Sequence, residues 1–197
     1  MAAASPRCYP EVVPPLDRLT IRFTLGARDL AHLRAVAERA SARAAGRPLE
    51  GIVAAARARA AELRKFQPPA YVEERVAGLV ELIDLLEDPD WGPPDRVRER
   101  VRSALVYFTE PEDLIADAEP GLGFLDDAIV IELYAHELEH ERAAWREFAR
   151  FRAAAERRAL RRGPEWLASQ LAERRRRLRA RVAAREQAPV VRRWRGR

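Results

Sequence analysis

The run His136-Glu137-Leu138-Glu139-His140 sets two imidazoles four residues apart, with a glutamate beside the first. Residues four apart share a helix face, so His136 and His140 could both reach one Zn²⁺. Glu137 would then be the general base activating a metal-bound water, the chemistry of a zinc-dependent hydrolase. Such a site needs a third protein ligand. Glu156 lies in the same expected helix, roughly 24 Å further along its axis. Glu165, beyond Gly163-Pro164, is the nearest candidate on a chain that folds back. The competing reading is a glutamate-rich helix surface, with Glu137 and Glu141 facing solvent or arginines. Other catalytic signatures are missing: there is no Gly-x-Ser-x-Gly, P-loop or dinucleotide fingerprint. Cys8 sits in a proline-rich arm, a poor setting for a nucleophile, and one cysteine excludes an internal disulfide. The balance favours a protein without catalytic residues and without a cofactor.

Two further groups of residues could bind something. Asp113 and Asp117 are four apart in an acidic loop, and Asp126 and Asp127 are adjacent where a helix begins. Carboxylates at a helix start accept backbone N–H bonds and suit the dipole, so capping is the ordinary reading; a hard cation such as Ca²⁺ or Mg²⁺ is the alternative. Near the C-terminus, Arg174, Arg175, Arg176, Arg177, Arg179 and Arg181 could contact a polyanion, either nucleic acid or an anionic membrane surface. They could equally neutralise the rest of the chain. Residues 1–66 carry net +6, residues 67–145 net −14 and residues 146–197 net +13, so the overall +5 conceals three charged blocks. All but one of the 36 basic residues are arginine, and GC-rich codons for arginine and alanine weaken the reading of any single one.

The elements that must position these residues are helices. Residues 1–18, with four prolines, read as an irregular arm. Leu19, Ile21, Phe23 and Leu25 alternate with polar residues as in one short strand. After Gly26 the apolar spacing is helical throughout. Stripes run from Leu30 to Ala40, Ile52 to Leu63, Val72 to Leu86 and Val97 to Phe108. A loop covers about 109–123. One long helix is expected from Leu125 to Leu160, apolar all round in its first turns, and a last one begins at Pro164. The expected fold is all-α: a compact helical bundle with a long central helix and a basic C-terminal helix. The expected units are an arm (1–18), a helical domain (19–160) and a basic C-terminal helix with a frayed tail (161–197). No signal-peptide pattern and no apolar run of about 18 residues stands out. The expected location is therefore cytoplasmic, with peripheral membrane contact left open.

The stretch 107–127 carries a resemblance. Tyr107, Phe108, Pro111, Asp113, Leu114, Ile115, Asp117, Pro120, Gly123, Phe124, Leu125, Asp126 and Asp127 stand without gaps as an aromatic pair, Pro-x-Asp-Leu-Ile-x-Asp, then Pro-x-x-Gly-aromatic-Leu-Asp-Asp. This pattern resembles the YkvA-like family, a bacterial domain of unknown function. Ala116 stands where that pattern usually has proline. The resemblance implies a helical domain over about 20–160 and supplies no reaction. Three functional classes follow: an interaction or scaffolding module, with a second copy or another protein as partner; a polyanion binder using the arginine-rich C-terminus; and the zinc hydrolase.

Overall fold

A computed structural model describes residues 24–65, 68–110 and 124–187. Its helices are α1 (Ala27–Arg43), α2 (Leu49–Lys65), α3 (Ala70–Glu87), α4 (Asp95–Thr109), α5 (Leu125–Glu137), α6 (Glu139–Arg162) and α7 (Pro164–Gln187). The all-α expectation holds. Among the described residues there is no strand, and the expected one at 19–25 falls largely outside them.

Prolines set several boundaries. The Pro69 carbonyl accepts the first N–H groups of α3, from Val72 and Glu73, and the Pro94 carbonyl those of α4, from Val97 and Arg98. Pro164 is the first residue of α7, where its missing N–H costs nothing. The residue before it, Gly163, has φ +89 and ψ 165, a region open essentially to glycine alone. One residue thereby reverses the chain from α6 into α7.

Helix α4 is the axis of the bundle. It packs against α1, α2, α3 and α5. Its stripe of Val97, Val101 and Ala104 widens into five consecutive buried residues, Ala104–Phe108, because α4 dives into the centre as it ends. Helix α3 buries Val72, Val76, Leu79, Leu82, Ile83, Leu85 and Leu86, and lies against α5. The remaining two helices form an antiparallel hairpin. Helix α6 leans on α3 and α5 through its first half, and α7 packs against α6.

The expected single helix from Leu125 to Leu160 is corrected by the structure: it breaks at Leu138, which has φ −98 and ψ 11. The side chain of Leu138 is buried in the core, and Arg142 Nη1 donates to the Ala135 carbonyl at 3.5 Å. A guanidinium inserted into the ladder is a recognised cause of a kink. The domain boundary expected at 160/161 falls inside the last turn of α6, whose final residue is Arg162.

The hairpin is joined to the bundle at the turn between α3 and α4. There Trp91 is fully buried, its ring 5.2 Å from that of Phe148 on α6 at a tilt of 51°. On the other side the Arg179 guanidinium of α7 lies over the same indole, 5.4 Å from its centre. One side chain thus holds both arms. Replacing Trp91 by alanine should cost about 3–5 kcal/mol of unfolding free energy by urea denaturation. A loss under 1 kcal/mol would show that this turn does not pin the hairpin.

Candidate functional site

Three clusters gather the residues with chemical potential. The first is the head of α5. Phe124 occupies the N-cap position in the left-handed region, at φ 68. Asp126 and Asp127 therefore fall in the first turn, not at the cap, where their charge still suits the dipole. Both are buried, Asp127 to 1 % exposure. Asp126 Oδ2 accepts from the Tyr107 hydroxyl of α4 at 3.1 Å, and Asp127 Oδ2 from Arg59 Nη2 of α2 at 3.5 Å. The Arg59 guanidinium also lies 5.3 Å from the Phe108 ring centre and 5.6 Å from that of Phe124. Buried carboxylates need a positive partner, and Arg59 supplies one that doubles as a cation–π bridge. The chemistry of this cluster is that of a clamp joining α2, α4 and α5. Pro111, Asp113, Asp117, Pro120 and Gly123, the other signature residues, lie outside the described residues.

The His136–His140 run spans the break at Leu138, with His136 in α5 and His140 in α6, and both imidazoles are exposed. Glu137 is engaged in ion pairs, with Arg34 Nε at 2.6 Å and Arg100 Nε at 3.6 Å, tying α5 to α1 and α4. A carboxylate so held is a poor general base. Glu165 stands just past the hairpin turn, and His140 at the other end of α6, about 33 Å away along the axis. Among the described residues no three His, Cys, Asp or Glu side chains are grouped to hold a metal ion.

The third cluster surrounds Trp91 and was not legible in advance. Asp88 accepts from the backbone N–H of Asp90 at 3.0 Å and of Trp91 at 3.1 Å, which shapes the turn. Its other oxygen accepts from Trp145 Nε1 at 2.9 Å, and Arg152 Nη1 reaches Oδ1 at 2.7 Å. Trp91 Nε1 in turn donates to Glu141 Oε1 at 3.0 Å. Glu141, expected to face solvent or arginines, is only 2 % exposed. It borders a cleft of about 370 Å³ whose walls include Pro94, Arg96, Arg179 and Val182.

The two acids of this cluster are pushed in opposite directions. Burial raises Glu141 above the ordinary glutamate value, only partly offset by the Trp91 hydrogen bond and by Arg179 and Arg96. Burial would also raise Asp88, but bonds from Arg152, Trp145 and the Trp91 backbone outweigh it and hold the carboxyl low. Asp88 is thus a charged clamp, and Glu141 an acceptor that gains little from its charge.

The C-terminal arginines divide between contact and exposure. Arg174 and Arg181 both reach Glu147 on α6. Arg175 donates to the Asp90 carbonyl at 2.6 Å, and Arg179 to the carbonyls of Trp91 and Gly92. Arg176 and Arg177 point outward, each paired with Glu173 one turn away. The basic helix therefore folds back on the acidic centre at the hairpin base, and Arg96 and Glu186, 2.8 Å apart, close the seam. At the opposite end, Arg157, Arg158, Arg161 and Arg162 are all exposed around the turn. No candidate in the sequence pointed to them, since the longer run at 174–181 is more conspicuous.

Residues 101–133 match a family model described as Protein of unknown function (DUF1232). The matched stretch takes in most of α4, the connecting loop and the first turns of α5, and is consistent with the YkvA-like resemblance. The Tyr107–Asp126 contact lies inside it. No curated protein matches the chain, and no solved structure does.

The opposed acids give opposed pH responses. A raised carboxyl stabilises the fold fully below its unfolded value and loses that contribution as pH rises through its folded value. Glu141→Gln keeps the acceptor for Trp91 and should be at least as stable as the parent at about pH 8, with a flatter profile from about pH 5 upward. A loss above about 1 kcal/mol at pH 8 would make the charge itself the holding force. Asp88 contributes above the unfolded aspartate value and fails as pH falls through its lower folded one. Asp88→Asn should cost roughly 3 kcal/mol near pH 7, because Arg152 loses its buried partner. Urea unfolding across pH checks both.

Proposed function

We propose that this protein is a non-enzymatic interaction module that binds a polyanionic partner through the tip of the α6–α7 hairpin. The observation that carries this reading is the distribution of arginines along the hairpin. At its base the guanidinium groups are consumed by Glu147, by Asp88 and Asp90, and by backbone carbonyls. At its tip four arginines stand exposed in the last two turns of α6.

Local stability does not ask for that cluster. Two basic residues in a last turn complement the helix dipole. But Arg157 with Arg161, and Arg158 with Arg162, are like-charge pairs four apart, each destabilising by a few tenths of a kcal/mol. The flanking Glu156 and Glu165 leave the tip net positive. A polyanion would relieve this repulsion and release its own counterions. The bundle supports the reading as a rigid mount. Several of its acids are committed to clamps: Asp126 and Asp127 at the head of α5, Glu137 between α1, α4 and α5, and Glu81 between Arg142 and Arg146.

Retention on immobilised heparin tests this. The parent chain should bind in a salt-dependent way. The variant with Arg157, Arg158, Arg161 and Arg162 all changed to glutamine should bind at least tenfold more weakly at about 50 mM salt. Changing Arg176 and Arg177 to glutamine should alter binding by less than about threefold, since Glu173 offsets one of their two charges and leaves a smaller excess than at the tip. Loss from the Arg176 and Arg177 changes with none from the tip set would return the polyanion surface to the 174–181 segment.

A further inference from the structure

The tip carries one feature that a purely electrostatic surface does not need. Leu160 is 90 % exposed, the single exposed large apolar side chain among the described residues. It stands between Arg157-Arg158 and Arg161-Arg162. Just past the turn, Trp166 and Leu167 are half-buried at the start of α7. The Gly163 reversal brings the end of α6 and the beginning of α7 to one place.

We propose that the hairpin tip docks on the surface of an anionic phospholipid bilayer, with the four arginines among the headgroups and Leu160 inserted at the acyl boundary. This rests on the reading of the tip as the polyanion-binding surface, and names the polyanion.

Three observations favour a bilayer over a nucleic acid. Arginines flanking a projecting leucine, with an indole close by, satisfy a headgroup layer and the apolar layer beneath it at once. A phosphate backbone offers nothing to a leucine standing among its cationic contacts, whereas a bilayer offers hydrocarbon directly below the phosphates. Reach is the third. The tip lies about 22 Å along α6 from Phe148, where Trp91 anchors the hairpin, so the turn can touch a flat surface while the bundle stands clear. No helix of the described residues is long and apolar enough to cross a membrane, so the contact would be superficial.

Vesicle flotation with the full chain separates the outcomes. The parent should float with vesicles of equal parts phosphatidylglycerol and phosphatidylcholine, and not with phosphatidylcholine alone. Leu160→Asn, which leaves the charge unaltered, should reduce flotation at least tenfold and leave heparin retention unchanged. Leu160→Ala should reduce it less, and the four-glutamine variant should lose both. At 90 % exposure Leu160 can be changed without disturbing the core, and an unchanged thermal melt confirms it. Heparin retention without flotation would overturn the bilayer and keep the polyanion surface. Tip-dependent binding of duplex DNA that is indifferent to Leu160→Asn would assign the surface to nucleic acid. Absence of heparin retention would remove the polyanion reading itself.

Discussion

The packing of Trp91 decides how this chain is put together. Six residues, Asp88 to Pro93, separate the end of α3 from Pro94, and Asp88 fixes the shape of this turn by accepting two of its backbone N–H groups. That turn throws an indole between α6 and α7. The indole meets Phe148 at a tilt, lies under Arg179 and gives its N–H to Glu141. Few side chains serve an aromatic contact, a cation–π contact and a buried hydrogen bond together. Without it the hairpin would hang on the first half of α6 and a few polar links, because among the described residues α7 packs chiefly on α6 and meets α4 through the Arg96–Glu186 pair.

The charge distribution follows from the same joint. An acidic middle segment and a basic C-terminal segment of nearly equal size could repel other molecules, attract them or neutralise each other. At the base of the hairpin they neutralise each other. Arg152 enters between Asp88 and Asp90, Arg174 and Arg181 share Glu147, and Arg175 and Arg179 hold carbonyls of the turn. Partly buried pairs of this kind hold geometry more than they add stability. What remains is asymmetry: a base whose charges are matched and a tip whose charges are not.

Much of this was legible in the sequence. Apolar spacing locates six helical segments, the fifth of which the structure divides into α5 and α6. Pro94 and Pro164 mark their starts by physics that acts within a residue or two. The break at Leu138 was not legible, since a run without proline or glycine gives no local reason to stop. The cause is tertiary: a buried leucine and the Arg142 guanidinium reaching the Ala135 carbonyl. Glu141 was hidden for a related reason. A glutamate on an amphipathic helix reads as surface, and only the arrival of Trp91 from fifty residues away buries it. The one available signal was Trp91 itself, a large apolar ring in a turn of Asp, Pro and Gly. Of the acids in the 107–127 pattern, Asp126 and Asp127 lie among the described residues, in the first turn of α5 as expected. Their partners across the bundle, Tyr107 and Arg59, come from other helices and could not be read locally.

The division between a matched base and an unmatched tip can be measured residue by residue. Limited modification of the native protein with phenylglyoxal, followed by mass spectrometry of its peptides, reads the accessibility of each guanidinium. Arg157, Arg158, Arg161 and Arg162 should react early, while Arg152 and Arg179 stay protected until the protein unfolds. Arg179 and Arg152 reacting as fast as the tip would contradict the folded-back helix, and with it the account of where the free charge lies.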